Sequence, residues 1–324
     1  MKSARVKNLK VEIYETSEPK LSGEGAIINV LGCGLCGSDI VKIRHATLEN
    51  ENKIVLGHEV VGVIVEINTK TSFKKGDIVA LGHHYPCFEC EFCRIGAYSM
   101  CRTFKKSNIF PCGFSEFIRV DENHLKYTVY PVPENLSYVE ASFLEPLACI
   151  SRAVRRAGYK LNEDNSKSNA LVLGLGSIGL ITVQTLKAFG VNAFGFDVNP
   201  SRQEFAKKYG VDYKEGKYDC IFMTSGSSHA IPTALEKVCD GGKIIVFSSV
   251  GNNSGYENDE IYYRELSIIA SYSPSVDDYK ISHKLLCEKK INVEGLSTCY
   301  KLDNLAKAVE DSMDGKIFKA YIEL

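Results

Sequence analysis

Cysteine and histidine recur in this 324-residue chain at spacings that suit zinc. The first stretch runs Gly34-Leu35-Cys36-Gly37-Ser38-Asp39, and 22 residues after its cysteine comes Gly57-His58-Glu59. The thiolate and the imidazole are common zinc ligands, and the flanking glycines let Cys36 project from a tight turn of the loop. Zinc takes about four ligands, so a third protein ligand must come from elsewhere in the chain. An open fourth position would make this site catalytic rather than structural.

A second stretch has four cysteines within fifteen residues, at the spacing C-x2-C-x2-C-x7-C: Cys87, Cys90, Cys93 and Cys101. Four thiolates can close a tetrahedron around Zn²⁺, which leaves no open position and predicts a structural metal. The alternative is an iron–sulfur cluster, in which C-x2-C-x2-C also occurs. No Cys-Pro ends the stretch and no second cluster motif follows, so the sequence favours zinc.

Glu145 is a carboxylate in apolar surroundings, between Leu144 and Pro146. The segment reads as a helix that starts at a Ser137 cap, with Glu140 three residues on. Pro146 should break or kink that helix and free local backbone groups. A charged group in this position needs a partner, and a metal ion is one such partner.

The pattern changes near residue 170, where Asn169-Ala170-Leu171-Val172-Leu173 predicts a buried strand. Gly174-Leu175-Gly176-Ser177-Ile178-Gly179 follows, then a helical run and a strand that ends at Asp197. Strand, glycines, helix, strand and acidic residue in this order predict a dinucleotide site, with the phosphates at the helix N-terminus.

Each glycine of this motif has a physical role. Gly174 permits the tight turn, Gly176 lets the backbone approach a pyrophosphate, and Gly179 packs helix on strand. Asp197 should bond both ribose hydroxyls, which favours NAD over NADP, although Arg202 nearby could bind the extra phosphate of NADP. The predicted cofactor-binding residues are Gly174, Gly176, Ser177, Ile178, Gly179, Asp197, Arg202 and Ser225.

These residues need two kinds of supporting structure. The first 120 residues show short strands with turn signals, which is typical of a small all-β barrel or sandwich. Strands and helices alternate from residue 169 onward and predict a doubly wound parallel sheet. Only about five residues separate Asp212 from the next strand, too few for a parallel crossover, so one crossover helix should be missing and the edge strand near Asp212 short or lost. The last strand, 318–322, should rejoin the first domain.

Composition excludes several classes of function. The net charge is −1 and 44% of residues are hydrophobic, which gives no reason to expect nucleic acid or an anionic membrane as a partner. No apolar run approaches the ~20 residues that span a bilayer. The N-terminus lacks the apolar core of a signal peptide, so we expect a cytoplasmic protein whose twelve cysteines serve metals or lie buried.

Together these motifs resemble the zinc-containing medium-chain dehydrogenase family over essentially the whole chain. The resemblance implies an α/β protein with a Rossmann domain at 149–272 and a mainly-β, GroES-like catalytic domain at 1–148 and 273–324, with a zinc lobe at about 84–104. It further implies two zinc ions per chain, the catalytic one held by Cys36, His58 and Glu145, with Glu59 as an alternate ligand.

The motif Glu145-Pro146-Leu147-Ala148 resembles the polyol branch of that family, since alcohol dehydrogenases proper carry a second cysteine where this chain has Glu145. The resemblance implies NAD-linked oxidation of a secondary alcohol of a polyol or sugar-alcohol phosphate. Ser38 would pass on the hydroxyl proton. Many relatives have a relay histidine five residues after the cysteine, where this chain has Val41, so the proton would leave through His45 or water.

Two other functions stay open. The same site could oxidise threonine at its β-hydroxyl, or the fold could serve a nucleotide-sensing or structural protein that does no catalysis. The second alternative fits poorly, because such proteins typically lose the metal ligands that this chain keeps. Most relatives are homodimers or homotetramers, and we expect the same here.

Overall fold

The computed structural model describes residues 1–250 and 255–324 and divides the chain into two compact units. The first unit comprises Met1–Pro146, Ser275–Cys287 and Val293–Leu324. The second comprises Leu147–Pro274 and Glu288–Asn292. The domain limits expected from the sequence, at 148/149 and 272/273, stay predictions.

The N-terminal part of the first unit is mainly β, as predicted. In chain order its elements are β1 Lys2–Lys7, β2 Lys10–Glu15, β3 Gly25–Leu35, α1 Gly37–Arg44, β4 Glu59–Ile67, β5 Ile78–Leu81, α2 Glu91–Arg94, α3 Arg102–Lys106, β6 Phe117–Asp121, α4 Glu122–Tyr127, β7 Val129–Pro131 and α5 Tyr138–Ala141. Strand β3 is the centre of this part, because it pairs antiparallel with both β4 and β6. Its side chains are almost all buried, and alternate residues along it belong to the main apolar core of this unit.

Two short helices replace the single kinked helix predicted from Ser137. The first, α5, has the predicted cap: Ser137 Oγ accepts the Glu140 N–H at 3.2 Å, and Glu140 accepts the Ser137 N–H at 2.8 Å. The second, α6, spans Leu144–Arg156. The predicted break is present, but it lies at Ser142 and Phe143, before Pro146. Pro146 itself lies in the first turn of α6, where a missing N–H breaks no intrahelical bond.

The second unit is a parallel sheet with helical crossovers, as predicted. Its elements are β8 Asn169–Leu173, α7 Ser177–Ala188, β9 Asn192–Phe196, α8 Pro200–Ala206, β10 Tyr218–Met223, α9 Ala230–Lys237, β11 Val238–Val246, α10 Asn258–Tyr263 and β12 Ser267–Ala270. Over the described residues the strand order is β12-β11-β10-β8-β9, and every pairing is parallel.

The predicted loss of one crossover is confirmed. Between the turn that ends at Tyr209 and strand β10 the chain has neither helix nor strand, so β9 lies at the edge of the sheet. What remains of the outer strand is one hydrogen bond, from the Gly195 N–H to the Asp212 carbonyl at 3.0 Å.

The C-terminal part contributes α11 Val276–Cys287, β13 Ser297–Lys301, α12 Leu305–Met313 and β14 Lys319–Glu323. Strand β14 pairs antiparallel with β3, with Tyr321 opposite Gly34. The closing strand therefore returns to the sheet of the first unit, which confirms that prediction. Within the described ranges, none of these helices is both long and apolar enough to cross a membrane.

Candidate active site

Cys36 lies where strand β3 passes into helix α1. It has an extended backbone (φ −91°, ψ 150°) and is the N-cap residue of that helix, whereas the sequence had placed it in a loop. The Cys36 N–H donates to Asp39 Oδ2 at 3.2 Å, which ties the first helical turn to the cap.

His58 and Glu59 are placed by a tight turn just before strand β4. Gly57 has a left-handed backbone (φ +74°), and a Cβ there would stand 2.9 Å from the Phe114 ring. The Gly57 N–H donates to Asp39 Oδ1 at 3.1 Å, so Asp39 joins the turn to the start of α1. One buried carboxylate thus sets the positions of two segments that lie far apart in the chain.

Asp39 also faces the ring of His58, with Oδ1 3.4 Å from Nδ1. This contact is electrostatic, because its geometry is not that of a hydrogen bond. Burial raises the pKa of Asp39, but His58, the charge of Lys42 and the Gly57 N–H together outweigh burial, so the pKa is lowered. An orienting carboxylate of this kind is usual behind a histidine that binds a metal.

The donor atoms of Cys36, His58 and Glu59 fit a metal ion. They lie within 4.8 Å of one another, and both Glu59 oxygens are buried without a hydrogen bond. Buried carboxylate oxygens need a hydrogen bond, a cation or a metal. A thiolate, an imidazole and a carboxylate are also the donor types that zinc accepts. The structure thus brings together three of the four predicted catalytic ligands.

Lys319 is a site residue that the sequence did not reveal. It comes from β14, and its ammonium nitrogen lies 2.5 Å from Glu59 Oε2 with both side chains buried. Burial would lower the pKa of Lys319, but the negative charges of Glu59 and Cys36 outweigh it and raise the pKa. Lys319 is therefore a buried ammonium ion that forms an ion pair with the Glu59 carboxylate.

Glu145, the fourth predicted ligand, lies in the first turn of α6. Its side chain is buried, and its charge helps to raise the pKa of Lys319. It is not part of the compact donor group, as far as the described residues go. Its role as a zinc ligand stays a prediction.

The residues of the predicted proton path lie on helix α1. Ser38 is exposed in the first turn of α1. Val41 is 55% exposed one turn further on, and His45 is exposed at the end of the helix. The three residues therefore share one open helix face.

His83 is a further neighbour of the site. Its ring centroid lies 4.7 Å from that of His58, and His124 Nε2 donates to the His83 carbonyl at 3.1 Å. Burial lowers the pKa of His83 well below its usual range, which keeps the ring neutral. This packing could not be predicted from sequence, because the contact joins separate loops.

The four-cysteine lobe has the geometry of a closed zinc site. The Sγ–Sγ distances are 3.6 Å from Cys90 to Cys93, 3.6 Å from Cys101 to Cys87 and 4.0 Å from Cys87 to Cys93. Zinc–sulfur bonds of about 2.3 Å in a tetrahedron place the sulfurs roughly 3.8 Å apart. The Phe104 ring packs against the lobe, and the four thiols are not paired as disulfides. The residues present fit a structural zinc.

The glycine motif of the second unit has the predicted geometry. Gly174 has a left-handed backbone (φ +98°), and a Cβ on Gly179 would stand 1.8 Å from the Gly174 carbonyl oxygen. Nothing lies within 4 Å of a Cβ on Gly176, so the backbone at the start of α7 is open to a pyrophosphate. Each glycine thus meets the requirement that the motif set for it.

Asp197 ends β9 beside a cavity of about 400 Å³. Its Oδ2 accepts the Leu175 N–H at 2.7 Å, and its Oδ1 accepts the Asn199 N–H at 2.8 Å. Arg202 Nη1 lies 3.8 Å from Asp197 Oδ2. The cavity is also lined by Ser225, a predicted cofactor-binding residue, and by three residues that the sequence did not suggest: Ser227, His229 and Thr233. They follow the carboxyl end of β10, where ligands of such sheets bind.

Comparison with known proteins agrees with this description. Residues 23–134 match the family model of the alcohol dehydrogenase GroES-like domain. The chain is 27% identical to a probable D-xylulose reductase A of Aspergillus clavatus, over 91% of this chain and 88% of the relative. It is also 27% identical to D-arabitol-phosphate dehydrogenase of Enterococcus avium, over 97% of this chain and 94% of the relative.

A solved structure shares the whole fold. Galactitol-1-phosphate dehydrogenase of Escherichia coli matches with a TM-score of 0.85 and 23% identity, over 100% of both chains. The matched domain, the relatives along the whole chain and the shared fold agree with one another. The chain therefore contains a match to the alcohol dehydrogenase GroES-like domain, and along nearly its whole length it is similar to proteins named as D-xylulose reductase and D-arabitol-phosphate dehydrogenase.

Proposed function

We propose that this protein is a zinc-dependent dehydrogenase that reversibly oxidises a secondary alcohol of a polyol or sugar-alcohol phosphate to the ketone, with NAD as hydride acceptor. The observation that carries the proposal is the compact donor group of Cys36, His58 and Glu59, whose atoms lie within 4.8 Å of one another. The relatives named as D-xylulose reductase and D-arabitol-phosphate dehydrogenase support the substrate class.

Cys36, His58 and Glu145 would hold the catalytic zinc, with Glu59 as an alternate ligand. When bound, zinc supplies Lewis-acid polarisation of the substrate hydroxyl, which makes its proton more acidic. Cys87, Cys90, Cys93 and Cys101 would hold the second, structural zinc. NAD supplies the carbon that accepts the hydride.

The other residues of the first unit prepare this chemistry. Asp39 orients the His58 ring, and Lys319 pairs with the buried Glu59 carboxylate. Ser38 would accept the hydroxyl proton and pass it towards solvent along the exposed face of α1. Val41 cannot carry a proton, so the proton would leave through water or His45, both of which that open face allows.

The preference for NAD would depend on Asp197. Each of its oxygens accepts one backbone N–H, which leaves further lone pairs for the ribose hydroxyls. A carboxylate in this position also repels the extra phosphate of NADP. Arg202 faces Asp197 and would offset part of that repulsion.

We expect Asp197→Ala to lower kcat/KM with NAD by about 10- to 100-fold, since hydrogen bonds to a charged group are lost. The kcat/KM with NADP should fall less or rise, because the repulsion between Asp197 and the extra phosphate of NADP disappears while Arg202 remains. Initial rates with both cofactors at a fixed alcohol concentration measure this change. An unchanged NAD/NADP ratio would contradict the assigned role of Asp197.

A substrate panel tests the proposed function. Free polyols, polyol phosphates, threonine and simple secondary alcohols are offered to the zinc-loaded protein with NAD, and NADH is followed by its absorbance. We expect polyols or their phosphates to be the best substrates. Preferred oxidation of threonine would favour that alternative, and no oxidation of any alcohol would favour a function without catalysis.

We also propose that the protein works in the cytoplasm as a homodimer or homotetramer. The twelve cysteines are free thiols, which suits a reducing compartment. The oligomeric state follows the family resemblance, and light scattering of the purified chain measures it.

A further inference from the structure

We infer that the exposed face of α1 beyond Ser38 is a binding subsite for the phosphate group of a sugar-alcohol phosphate, with Lys42 as its main cation. The inference rests on the proposed function, and it assigns the phosphate ester rather than the free polyol as substrate.

Helix geometry places Lys42 next to Ser38. Residues three, four and seven positions apart share one face of an α-helix, so Ser38, Val41, Lys42 and His45 form a single stripe. All four residues are exposed. Lys42 stands one turn, about 6 Å along the axis, beyond the hydroxyl that would take the substrate proton.

The opposite face of α1 belongs to the protein interior. Asp39 is fully buried there, and Ile43 packs against the main core of the first unit. Arg44 lines a separate groove with Leu9 and Met313. Lys42 and His45 are therefore the basic side chains that share the Ser38 face.

The Lys42 ammonium group lies close to the metal-binding residues. It donates to the Val55 carbonyl at 2.9 Å and stands 3.8 Å from Asp39 Oδ1, the atom that faces His58. The side chain is 42% exposed, and an ammonium group has three donors. One donor is used by Val55, so the others remain available to a ligand at the surface.

Asp39 does not cancel this cation for an incoming anion. Its two oxygens accept the N–H groups of Gly57 and Cys36, and its charge is shared with His58. Asp39 is buried beneath the helix, whereas the ammonium group reaches the surface. An anion that approaches the outer face of α1 therefore meets the Lys42 ammonium group before the Asp39 carboxylate.

The distance from the reacting group favours phosphate over carboxylate. In threonine the carboxylate is attached to the carbon next to the one that is oxidised, too close to the reacting oxygen to reach one helix turn away. The terminal phosphate of a sugar alcohol can lie several carbons from the oxidised one. Lysine is a common phosphate ligand in proteins. A free polyol has no charge and would gain nothing from this ammonium group.

The test compares a pentitol with its phosphate ester in the zinc-loaded enzyme with NAD. We expect the wild type to prefer the ester, and Lys42→Gln to lower kcat/KM for the ester by about 10- to 100-fold, mainly through KM. The kcat/KM for the free pentitol should fall much less than that for the ester, because the free pentitol has no phosphate to lose and Lys42 reaches the metal residues only through Asp39, at 3.8 Å. Lys42→Arg should restore most of the loss. Arg44→Met, on the other side of the same helix, should leave both substrates unchanged.

A second readout does not depend on turnover. Inorganic phosphate should bind the wild type by calorimetry and inhibit competitively against the ester, and both effects should weaken in Lys42→Gln. Glutamine can still donate to the Val55 carbonyl, and a thermal melt checks that the variant is folded.

Several results would overturn the subsite. They are equal use of ester and free pentitol by the wild type, an equal loss for both substrates in Lys42→Gln, or a loss confined to threonine. Phosphate binding that Lys42→Gln leaves unchanged would do the same. If the folded enzyme oxidises no polyol or ester while phosphate binding still depends on Lys42, the proposed reaction fails and the anion site stands.

Discussion

Replacing Cys36 by serine should lower kcat for polyol oxidation by about 10³-fold or more, because Lewis-acid catalysis contributes several kcal/mol. The donor group would lose its thiolate, and serine stays a neutral hydroxyl at neutral pH. The zinc content should fall from two ions per chain to one. NAD binding should persist, since the glycine motif and Asp197 belong to the second unit. Steady-state rates, metal analysis and a cofactor titration measure the three effects.

Cys299→Ser is the matched control for this variant. Cys299 is exposed on β13 and belongs to neither group of metal-binding cysteines. Its replacement should change neither the zinc content nor the rate. If Cys36→Ser kept full turnover with one zinc lost, the donor group of Cys36, His58 and Glu59 would not be the catalytic centre.

Replacing Lys319 by methionine should destabilise the first unit by about 3–5 kcal/mol, the usual cost of leaving one partner of a buried ion pair alone. The Glu59 carboxylate would stay buried with both oxygens lacking a hydrogen bond. Methionine keeps most of the volume and the apolar stem of lysine, so the missing charge is the main change. Loss of zinc should increase the cost, since a metal ion at this site would neutralise part of the same carboxylate.

Adding Glu59→Gln tests whether the loss comes from this pair. The double variant removes both charges, so it should be more stable than Lys319→Met alone. The chain has no tryptophan, so denaturant unfolding is best followed by circular dichroism. Losses that simply add in the double variant would show that Lys319 and Glu59 do not interact.

The sequence predicted those features that local chemistry determines. The glycine motif has the backbone geometry expected from its sequence, with a left-handed turn at Gly174, open space at Gly176 and a 1.8 Å approach at Gly179, while its role in cofactor binding stays a prediction. The four cysteines were recognised from spacing alone, because a tetrahedral ion sets how far apart its ligands can lie. The lost crossover followed from chain length, since five residues cannot cross a sheet.

Features that depend on tertiary packing were missed. Lys319 reads as an ordinary surface lysine near the C-terminus, and only the pairing of β14 with β3 brings it to Glu59. Asp39 belonged to a recognised motif, but its bonds to Gly57 and Cys36 depend on the folded turn. A single charged residue shows no periodicity that would mark it as buried.

Helix boundaries were also decided by context. The sequence placed Cys36 in a loop because of its two flanking glycines, although Gly37 is the first residue of an eight-residue helix. That helix carries Asp39 on its buried face and Ser38 on its open one, so its packing against the sheet overrides the weak propensity of glycine. Pro146 suggested a break or kink because proline disrupts the interior of a helix. In the first turn of α6 it interrupts no intrahelical hydrogen bond, so its effect depends on its position within the helix.

The central claim is that one of two zinc ions per chain supports polyol oxidation at Cys36 and His58. The most direct measurement follows zinc content and turnover together while a chelator removes metal. The four-thiolate site is closed, so the other zinc should leave first. We expect two zinc ions per chain at the start, activity lost in proportion to the first ion removed, and recovery when one equivalent is returned. Full turnover in protein that retains a single zinc in the four-cysteine lobe would contradict it.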